Sequence, residues 1–179
     1  MAKRDTSRQK ILNAAMELAR KDGSAHISLD AIAARAGVSK GGLLYNFPSK
    51  TRLLEALVKQ HVDFFAEALD EDAGDAESRP LAERYLDLSV DELQRQPPPP
   101  SGLLAALAED PNLLAPVRQL NRTVLDRMKA ETQDEASVLT LFLVVQGLHA
   151  LKAFGTDVLS PEEHGLIVER MRDMLARTE

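Results

Sequence analysis

Helical periodicity runs through the whole sequence and is the feature that most limits its fold. Apolar residues recur every three or four positions, as over residues 11–19 and 53–69. No strand-like alternation persists in the sequence, and no internal repeat is visible. The spacing therefore predicts an all-α protein of about nine helices.

Capping signals place the first four helices. Serine at a helix start accepts a backbone N–H, glycine suits the left-handed conformation at a helix end, and a residue before proline avoids helical geometry. The predicted boundaries are an end near Asp22-Gly23 for the first helix, Ser28 to Gly37 for the second, Ser39 to Phe47 for the third and Ser49 to Leu69 for the fourth.

The second half of the chain predicts five more helices. The segment 136–154 is apolar nearly all round, which predicts a helix buried on several sides, and it is too interrupted to span a bilayer. Ser160, Pro161 and Glu163 form a capping box. The predicted helices cover Leu81–Leu93, Leu103–Ala108, Pro111 to about Thr132, 136–154 and a last helix that begins after Ser160.

Two proline features leave alternatives open. Pro97–Pro100 must be extended, either as a stiff loop between helices or as a docking ligand for a proline-reading domain. Pro116 either kinks the helix predicted from Pro111 or marks its true start.

Composition excludes several classes of function. The chain has no cysteine, which excludes disulfides, thiolate metal sites and cysteine nucleophiles and fits a reducing compartment. No uninterrupted apolar run approaches a membrane span, so we expect a soluble, cytoplasmic protein with no membrane partner. The four histidines, among them His61 and His164, are scattered, and no nucleophile elbow or phosphate loop appears. We therefore expect no catalysis, no metal and no cofactor.

Charge is distributed unevenly along the chain. Residues 1–52 hold ten Lys/Arg against four Asp/Glu, whereas residues 53–179 hold twelve against twenty-four. Such a basic head on an acidic body indicates either a module that binds a polyanion or a solvated basic tail.

Residues 28–47, "SLDAIAARAGVSKGGLLYNF", have the layout of a helix-turn-helix. In that motif the second helix enters the major groove of DNA with its first residues on the base edges. Gly41 and Gly42 each cost about 1 kcal/mol in a helix interior, so the pair indicates that DNA approaches the backbone closely there. Their N–H groups would favour phosphate, and Leu44 and Phe47 are expected in the core.

The segment from Arg8 to Leu54 resembles the DNA-binding domain of the TetR family of bacterial transcriptional repressors. The matching positions are Ile11, Leu12, Ala14, Ala15, Leu18, Gly23, Ser28, Leu29, Ile32, Ala33, Ala36 to Ser39, Gly41, Leu43, Tyr45, Phe47, Ser49, Lys50 and Leu53. The resemblance implies a DNA-binding domain over 1–52 and a helical ligand-binding and dimerisation domain over 53–179.

The resemblance also implies roles in DNA binding. Ser39, Lys40, Gly41 and Gly42 would form the leading edge of the recognition helix, with Lys40 on guanine or phosphate. The phosphate contacts would come from Ser28, Tyr45 and Lys50, and contacts to the backbone or minor groove from Lys3, Arg4 and Thr6. Two alternatives remain: Tyr45 packs between helices, and Lys40 is a solvated lysine.

The chain departs from the family pattern at three positions. It has Asn46 where a histidine is common, Gly42 where a threonine is common, and Thr51 where an acidic residue is common. Because Gly42 removes one side chain that could touch a base, shape readout gains importance.

For the second domain, the resemblance implies a homodimer whose interface is built from the helices near 136–154 and 161–177. The candidate interface residues are Gly147, Leu151, Leu166, Ile167, Met171 and Met174. The family also holds a ligand pocket, for which the candidates are Phe64, Phe65, Tyr85, Leu103, Leu107, Phe142, Gln146 and His149. The phenylalanines are alternatively core residues, and His149 is alternatively an interface histidine.

The function that follows is a repressor released from a palindromic DNA operator by a small apolar effector. The alternatives are a helix-turn-helix factor regulated by a protein partner, and a helical interaction protein that does not bind DNA.

Overall fold

The computed structural model describes residues 2–21, 28–71, 79–95 and 110–177, and within these ranges the chain is helical with no strand. The all-α prediction is confirmed. The described residues form eight α-helices and one short 3₁₀ helix. The α-helices are α1 Ala2–Lys21, α2 Leu29–Ala36, α3 Lys40–Asn46, α4 Lys50–Glu71, α5 Leu81–Arg95, α6 Ala115–Ala130, α7 Glu135–Phe154 and α8 Pro161–Leu175; the 3₁₀ helix is Pro111–Leu114.

The predicted helix starts are confirmed where a cap was recognised. At α8, the Ser160 hydroxyl accepts the N–H of Glu163 at 3.2 Å, and the Glu163 carboxylate accepts the N–H of Ser160 at 2.7 Å. Ser49 accepts the N–H of Arg52 at 3.1 Å as α4 begins. These bonds satisfy N–H groups that have no partner inside the helix.

The prolines separate into described and undescribed positions. The helix predicted from Pro111 to Thr132 is in fact two elements: the 3₁₀ helix capped by Asp110, then α6 from Ala115. Pro116 therefore marks the start of α6 and does not kink it, because proline is tolerated in the first turn, where N–H groups lack partners. The predicted end of the first helix at Asp22-Gly23, the extended Pro97–Pro100 and the predicted helix Leu103–Ala108 lie outside the described residues.

The described residues fall into two compact units. The first runs to Val62 and includes Asp110 to Val117; the second contains the residues from Asp63 to Arg95 and those from Arg118 onward. The assignment of 1–52 to DNA binding and of 53–179 to ligand binding and dimerisation concerns function and stays a prediction.

Each unit has its own apolar core. The core of the first unit, the N-terminal cluster, is formed by Ile11, Leu12, Ala14, Ala15, Ile32, Ala33, Leu43, Phe47, Leu53, Leu54, Leu57, Val58 and Leu113. The core of the second, the C-terminal cluster, is formed by Phe65, Leu69, Leu81, Ala82, Tyr85, Leu86, Val124, Leu125, Met128, Val138, Leu141, Val145, Met171 and Leu175. Helix α4 contributes residues to both clusters. Burial of each large side chain contributes about 1.5–3 kcal/mol.

Helix α7 is buried on one side only. Val138, Leu141, Val145 and Leu148 face the protein, whereas Leu143 is 69% exposed. The expectation of burial on several sides is therefore wrong for this chain taken alone. The expectation that this segment is too interrupted to span a bilayer is wrong by length and composition. Among the described residues α7 is the single helix long and apolar enough to cross a membrane, with a mean hydropathy of 1.6, and core helices of soluble proteins pass the same test.

We predict that Gly37→Ala lowers the free energy of unfolding by about 1 kcal/mol, because Gly37 has a φ of 68° that alanine adopts only with strain. Gly41→Ala is the matched control. Gly41 is helical with its nearest neighbour at 4.0 Å from an added Cβ, so alanine should raise the stability by up to about 1 kcal/mol. Urea unfolding of both variants measures the two shifts, and equal shifts of the same sign would contradict the prediction.

Candidate functional sites

A three-residue turn joins α2 to α3. Gly37 ends α2 in the left-handed conformation, and the N–H of Val38 donates to the Ala33 carbonyl at 3.0 Å. The Ser39 hydroxyl then accepts the N–H of Gly42 at 3.0 Å and begins α3. Leu43, which is fully buried, anchors α3 in the N-terminal cluster. The layout predicted for residues 28–47 is therefore present.

The two adjacent glycines of α3 differ in their surroundings. Gly41 is exposed, and an added Cβ would have only the Ser39 hydroxyl near it, at 4.0 Å. Gly42 is half-buried, and its Cβ would lie 3.3 Å from the same hydroxyl. A side chain at Gly42 would therefore require the Ser39 hydroxyl to shift slightly, and the N–H of Gly42 is taken by the Ser39 cap. Open space for a close approach from outside exists at Gly41.

Lys40 forms an ion pair with Asp30. The Lys40 ammonium lies 3.0 Å from each carboxylate oxygen of Asp30, which stands in the first turn of α2. The two side chains are 60% and 66% exposed. Lys40 is therefore a surface residue held toward α2. Sequence analysis did not predict Asp30 as a partner of Lys40. An aspartate in the first turn of a helix also stabilises the helix dipole, and the sequence does not distinguish that role from an ion pair.

Four other predicted DNA contacts, at Thr6, Ser28, Tyr45 and Lys50, are exposed. Tyr45 is 69% exposed, so it does not pack between helices. Ser28 caps α2 by accepting the N–H of Ala31 at 3.1 Å, and Lys50 begins α4. Thr6 is exposed on α1. Lys3 and Arg4, expected to form an arm, belong to the first turns of α1.

Further cations of the same unit have partners that sequence reasoning did not foresee. Arg35 pairs with Glu17 at 2.5 Å, and Arg52 pairs with Glu55 at 2.7 Å. The Arg8 guanidinium lies 5.2 Å from the centre of the Phe47 ring.

Phe47 is buried as expected. The core prediction for Leu44 is wrong, because α3 turns Leu43 inward and leaves Leu44 37% exposed.

Three aromatic rings meet in the C-terminal cluster. The Tyr85 ring lies edge-on to Phe65 with the centroids 6.1 Å apart, and it stacks with Phe142 at 6.2 Å. Gln146 donates to the Tyr85 hydroxyl at 3.2 Å. Burial raises the pKa of Tyr85 to about 12, and the hydrogen bond from Gln146 opposes that rise. Four of the predicted pocket residues are therefore brought together.

The remaining pocket candidates are distributed differently. Phe64 is 59% exposed because neighbouring residues on a helix point about 100° apart, and it stands away from Phe65. The imidazole of His149 lies 3.7 Å from the Glu92 carboxylate, which is itself mostly buried. Leu103 and Leu107 lie outside the described residues.

The predicted interface residues separate into an outward and an inward group. Gly147 is exposed on α7 and Leu166 is 64% exposed on α8, while Leu151 and Ile167 are half-buried. Met171 and Met174 pack in or against the C-terminal cluster, since they fall on the inner face of α8. Sequence analysis missed the outward Leu139 and Phe154, which α7 places in line with Leu143, Gly147 and Ala150.

Within the described ranges no group of three His, Asp or Glu side chains is arranged to hold a metal ion.

Solved structures share this fold. The multidrug binding protein EbrR, in complex with ethidium, is 25% identical with a TM-score of 0.64, and the match covers 92% of this chain and 98% of EbrR. A TetR transcription regulator from Haloarcula marismortui is 19% identical with a TM-score of 0.66, covering 96% and 97%. NalD of Pseudomonas aeruginosa, the secondary repressor of the MexAB-OprM multidrug efflux pump, is 18% identical with a TM-score of 0.57, covering 97% and 96%.

Two family models match the chain itself. Residues 11–57 match the tetR family of bacterial regulatory proteins, and residues 79–176 match the tetracyclin repressor-like C-terminal domain. The first match contains the turn between α2 and α3, and the second contains Tyr85, Phe142 and the exposed face of α7. Together they cover most of the sequence, and the chain therefore belongs to the TetR family of dimeric, non-enzymatic DNA-binding regulators.

Proposed function

We propose that this protein is a repressor that binds a two-fold DNA operator as a homodimer and leaves it when a small aromatic ligand binds. The observation that carries the proposal is the outward face of α3. Gly41 and Tyr45 are exposed on that face while Leu43 holds the helix in the core, so the helix is fixed yet open to a partner. A major groove accepts an α-helix presented in this way.

The DNA contacts divide into two kinds. Exposed polar groups are present at the N-cap of α2 (Ser28), on α3 (Tyr45) and at the start of α4 (Lys50). They suit phosphate oxygens, which position the protein without reading sequence. Lys40 and Gly41 stand at the start of α3, where a helix-turn-helix reads base edges. With Gly41 bare and Gly42 half-buried, Lys40 is the single long side chain available at that end of α3.

The homodimer explains the outer face of α7. Leu139, Leu143, Gly147, Ala150 and Phe154 are exposed at spacings of three or four residues, so they form one apolar stripe. Leu166 adds a 64% exposed side chain on α8, which packs against α7. A stripe of this kind indicates an interface. A second copy of the chain covers it best, because TetR proteins are dimers and a two-fold operator requires two heads.

The aromatic cluster supplies a ligand site of the kind we propose. Phe65, Tyr85 and Phe142 pack against one another, so an aromatic ligand would insert among these rings, with Gln146 and the Tyr85 hydroxyl as polar groups at one edge. EbrR is a multidrug binding protein solved with ethidium and with malachite green, both of which contain aromatic rings. Phe65 belongs to α4, the helix that also carries Lys50. A ligand that binds one position of α4 better than the other would shift DNA binding.

We predict that Lys50→Ala weakens binding to duplexes of any sequence and reduces the slope of log affinity against log salt by about one per head, since one phosphate contact is lost. Tyr45→Phe should weaken binding similarly across sequences. Arg122→Ala, at an exposed side chain of α6, is the control with the same change of charge. Fluorescence anisotropy over a salt series measures both quantities. A Lys50→Ala slope equal to that of Arg122→Ala would contradict the assigned contact.

We predict that Leu143→Glu converts the dimer to monomers at micromolar concentration, because it places a charge in the centre of the apolar stripe. Glu169→Ala, an exposed change on α8, serves as the control. Light scattering coupled to size exclusion measures the mass. A Leu143→Glu dimer as tight as the wild type would remove α7 from the interface.

We predict that malachite green binds the protein in the absence of DNA and that Phe142→Ala weakens this binding at least about tenfold, through loss of a stacked ring. Phe64→Ala is a matched control, since Phe64 is an exposed ring on the same helix as Phe65. Dye absorbance and thermal shift give the affinities. Release of operator is then measured with a correction for dye bound by the duplex alone.

Two other results would contradict the ligand proposal. Equal loss of dye binding in Phe64→Ala and Phe142→Ala would place the ligand elsewhere. Consistent absence of binding across aromatic compounds, with operator binding intact, would favour the alternative of a factor regulated by a protein partner.

A further inference from the structure

We propose that Asp30 determines specificity by competing with DNA phosphate for Lys40. The proposal rests on the proposed function, because it requires that Lys40 meet the DNA. The proposal adds Asp30, which lies next to Lys40, as a residue that opposes non-specific binding to DNA.

The geometry makes Asp30 an anion already bound to Lys40. Both carboxylate oxygens lie 3.0 Å from the ammonium, and the two residues, ten positions apart, stand in the first turns of consecutive helices. Both side chains are exposed, so water and salt weaken the pair without abolishing it. A phosphate that approaches Lys40 must either displace this carboxylate or lie beside it.

The ion pair with Asp30 affects the binding of Lys40 to a phosphate and to a base differently. When phosphate replaces the carboxylate, one anion is exchanged for another and the lysine gains little, while the displaced carboxylate repels the DNA backbone. A lysine ammonium has three N–H groups, and a guanine edge offers neutral acceptors. Lys40 can therefore keep a bond to Asp30 while it donates to guanine. The carboxylate penalises binding through phosphate alone more than it penalises binding to the correct base.

The pair of Lys40 and Asp30 controls the positive charge that α3 can present to DNA. Lys40 is the single charged residue of "KGGLLYN", the sequence of α3. Among the nearby cations, Arg35 is paired with Glu17 and Arg52 with Glu55. No other side chain of α3 can supply the positive charge if Asp30 holds it back.

The test compares Asp30→Asn, Lys40→Met and the double variant on two duplexes, one of scrambled sequence and one selected from a random library by the wild-type protein. We expect Asp30→Asn to tighten binding to the scrambled duplex about three- to fivefold per head. Its salt slope should steepen by about 0.9 per head, because a lysine becomes available to a phosphate. The selected duplex should gain less, so the ratio of the two affinities falls.

Three controls accompany these variants. Asp126→Asn removes a carboxylate from an equally exposed ion pair on α6 and should change neither duplex. Asp30→Glu keeps the charge and should behave as the wild type. In the Lys40→Met background, Asp30→Asn should change affinity less than twofold, since only the general repulsion is removed. Thermal unfolding of each variant checks that the fold is retained.

Each outcome supports or overturns the proposal. Equal gains with and without Lys40 would reduce Asp30 to a general negative charge, and proportional gains on both duplexes would remove its role in specificity. If Lys40→Met weakens binding but Asp30→Asn does nothing, this inference fails and the proposed function stands. If Lys40→Met changes neither affinity nor slope, the proposed contact of Lys40 fails, and the inference fails with it.

Discussion

The left-handed turn at Gly37 and the hydroxyl of Ser39 are the constraint that orients α3, the helix that we propose meets DNA. Three residues separate α2 from α3, so the direction of α3 is set by the conformation of Gly37 and by the bond from the Gly42 N–H to Ser39. Leu43 then buries one side of α3. With the start fixed by a cap and one side fixed by the core, the opposite side is held outward without any support from a ligand. This preorganisation lowers the cost of ordering the helix when DNA binds.

The same region shows that formal charge and available charge differ. Residues 1–52 are strongly basic by count, yet carboxylates hold Arg35, Lys40 and Arg52 in ion pairs. Exposed pairs of this type are weak and exchange readily with solvent ions. The positive charge of residues 1–52 favours DNA at long range, whereas a DNA contact made by Arg35, Lys40 or Arg52 would have to replace an existing carboxylate partner. Under the proposal that Asp30 competes for Lys40, selectivity depends on which of these partners DNA can favourably replace, more than on the total charge.

How much the sequence could predict depends on the range of the interaction. The caps at Ser28, Ser39 and Ser160 act over three residues, so the sequence alone was enough to predict them. The structure contains the helices that they begin. The pair of Lys40 and Asp30 joins two helices, and its formation depends on the angle that the turn imposes. No periodicity encodes that angle.

The sequence also could not show which residues of an apolar helix point into the core and which point outward. Phe64 and Phe65 are adjacent and chemically alike, but only Phe65 turns toward Tyr85. In α8 the apolar stripe was visible, yet Leu166 points outward while Met171 enters the core. A sequence shows that a helix has an apolar face; whether the neighbour is the same chain or a second copy is decided by tertiary packing.

We propose that DNA approaches the start of α3 closely at Gly41, which has no side chain. The most direct test is the affinity of the Gly41→Leu variant for the selected duplex, with thermal unfolding measured in parallel. Because space is open around Gly41 inside the protein, the variant should fold with at least wild-type stability while losing affinity at least about tenfold, since the leucine would meet the DNA. A Gly41→Leu protein that binds the duplex as tightly as the wild type would show that DNA does not approach α3 there.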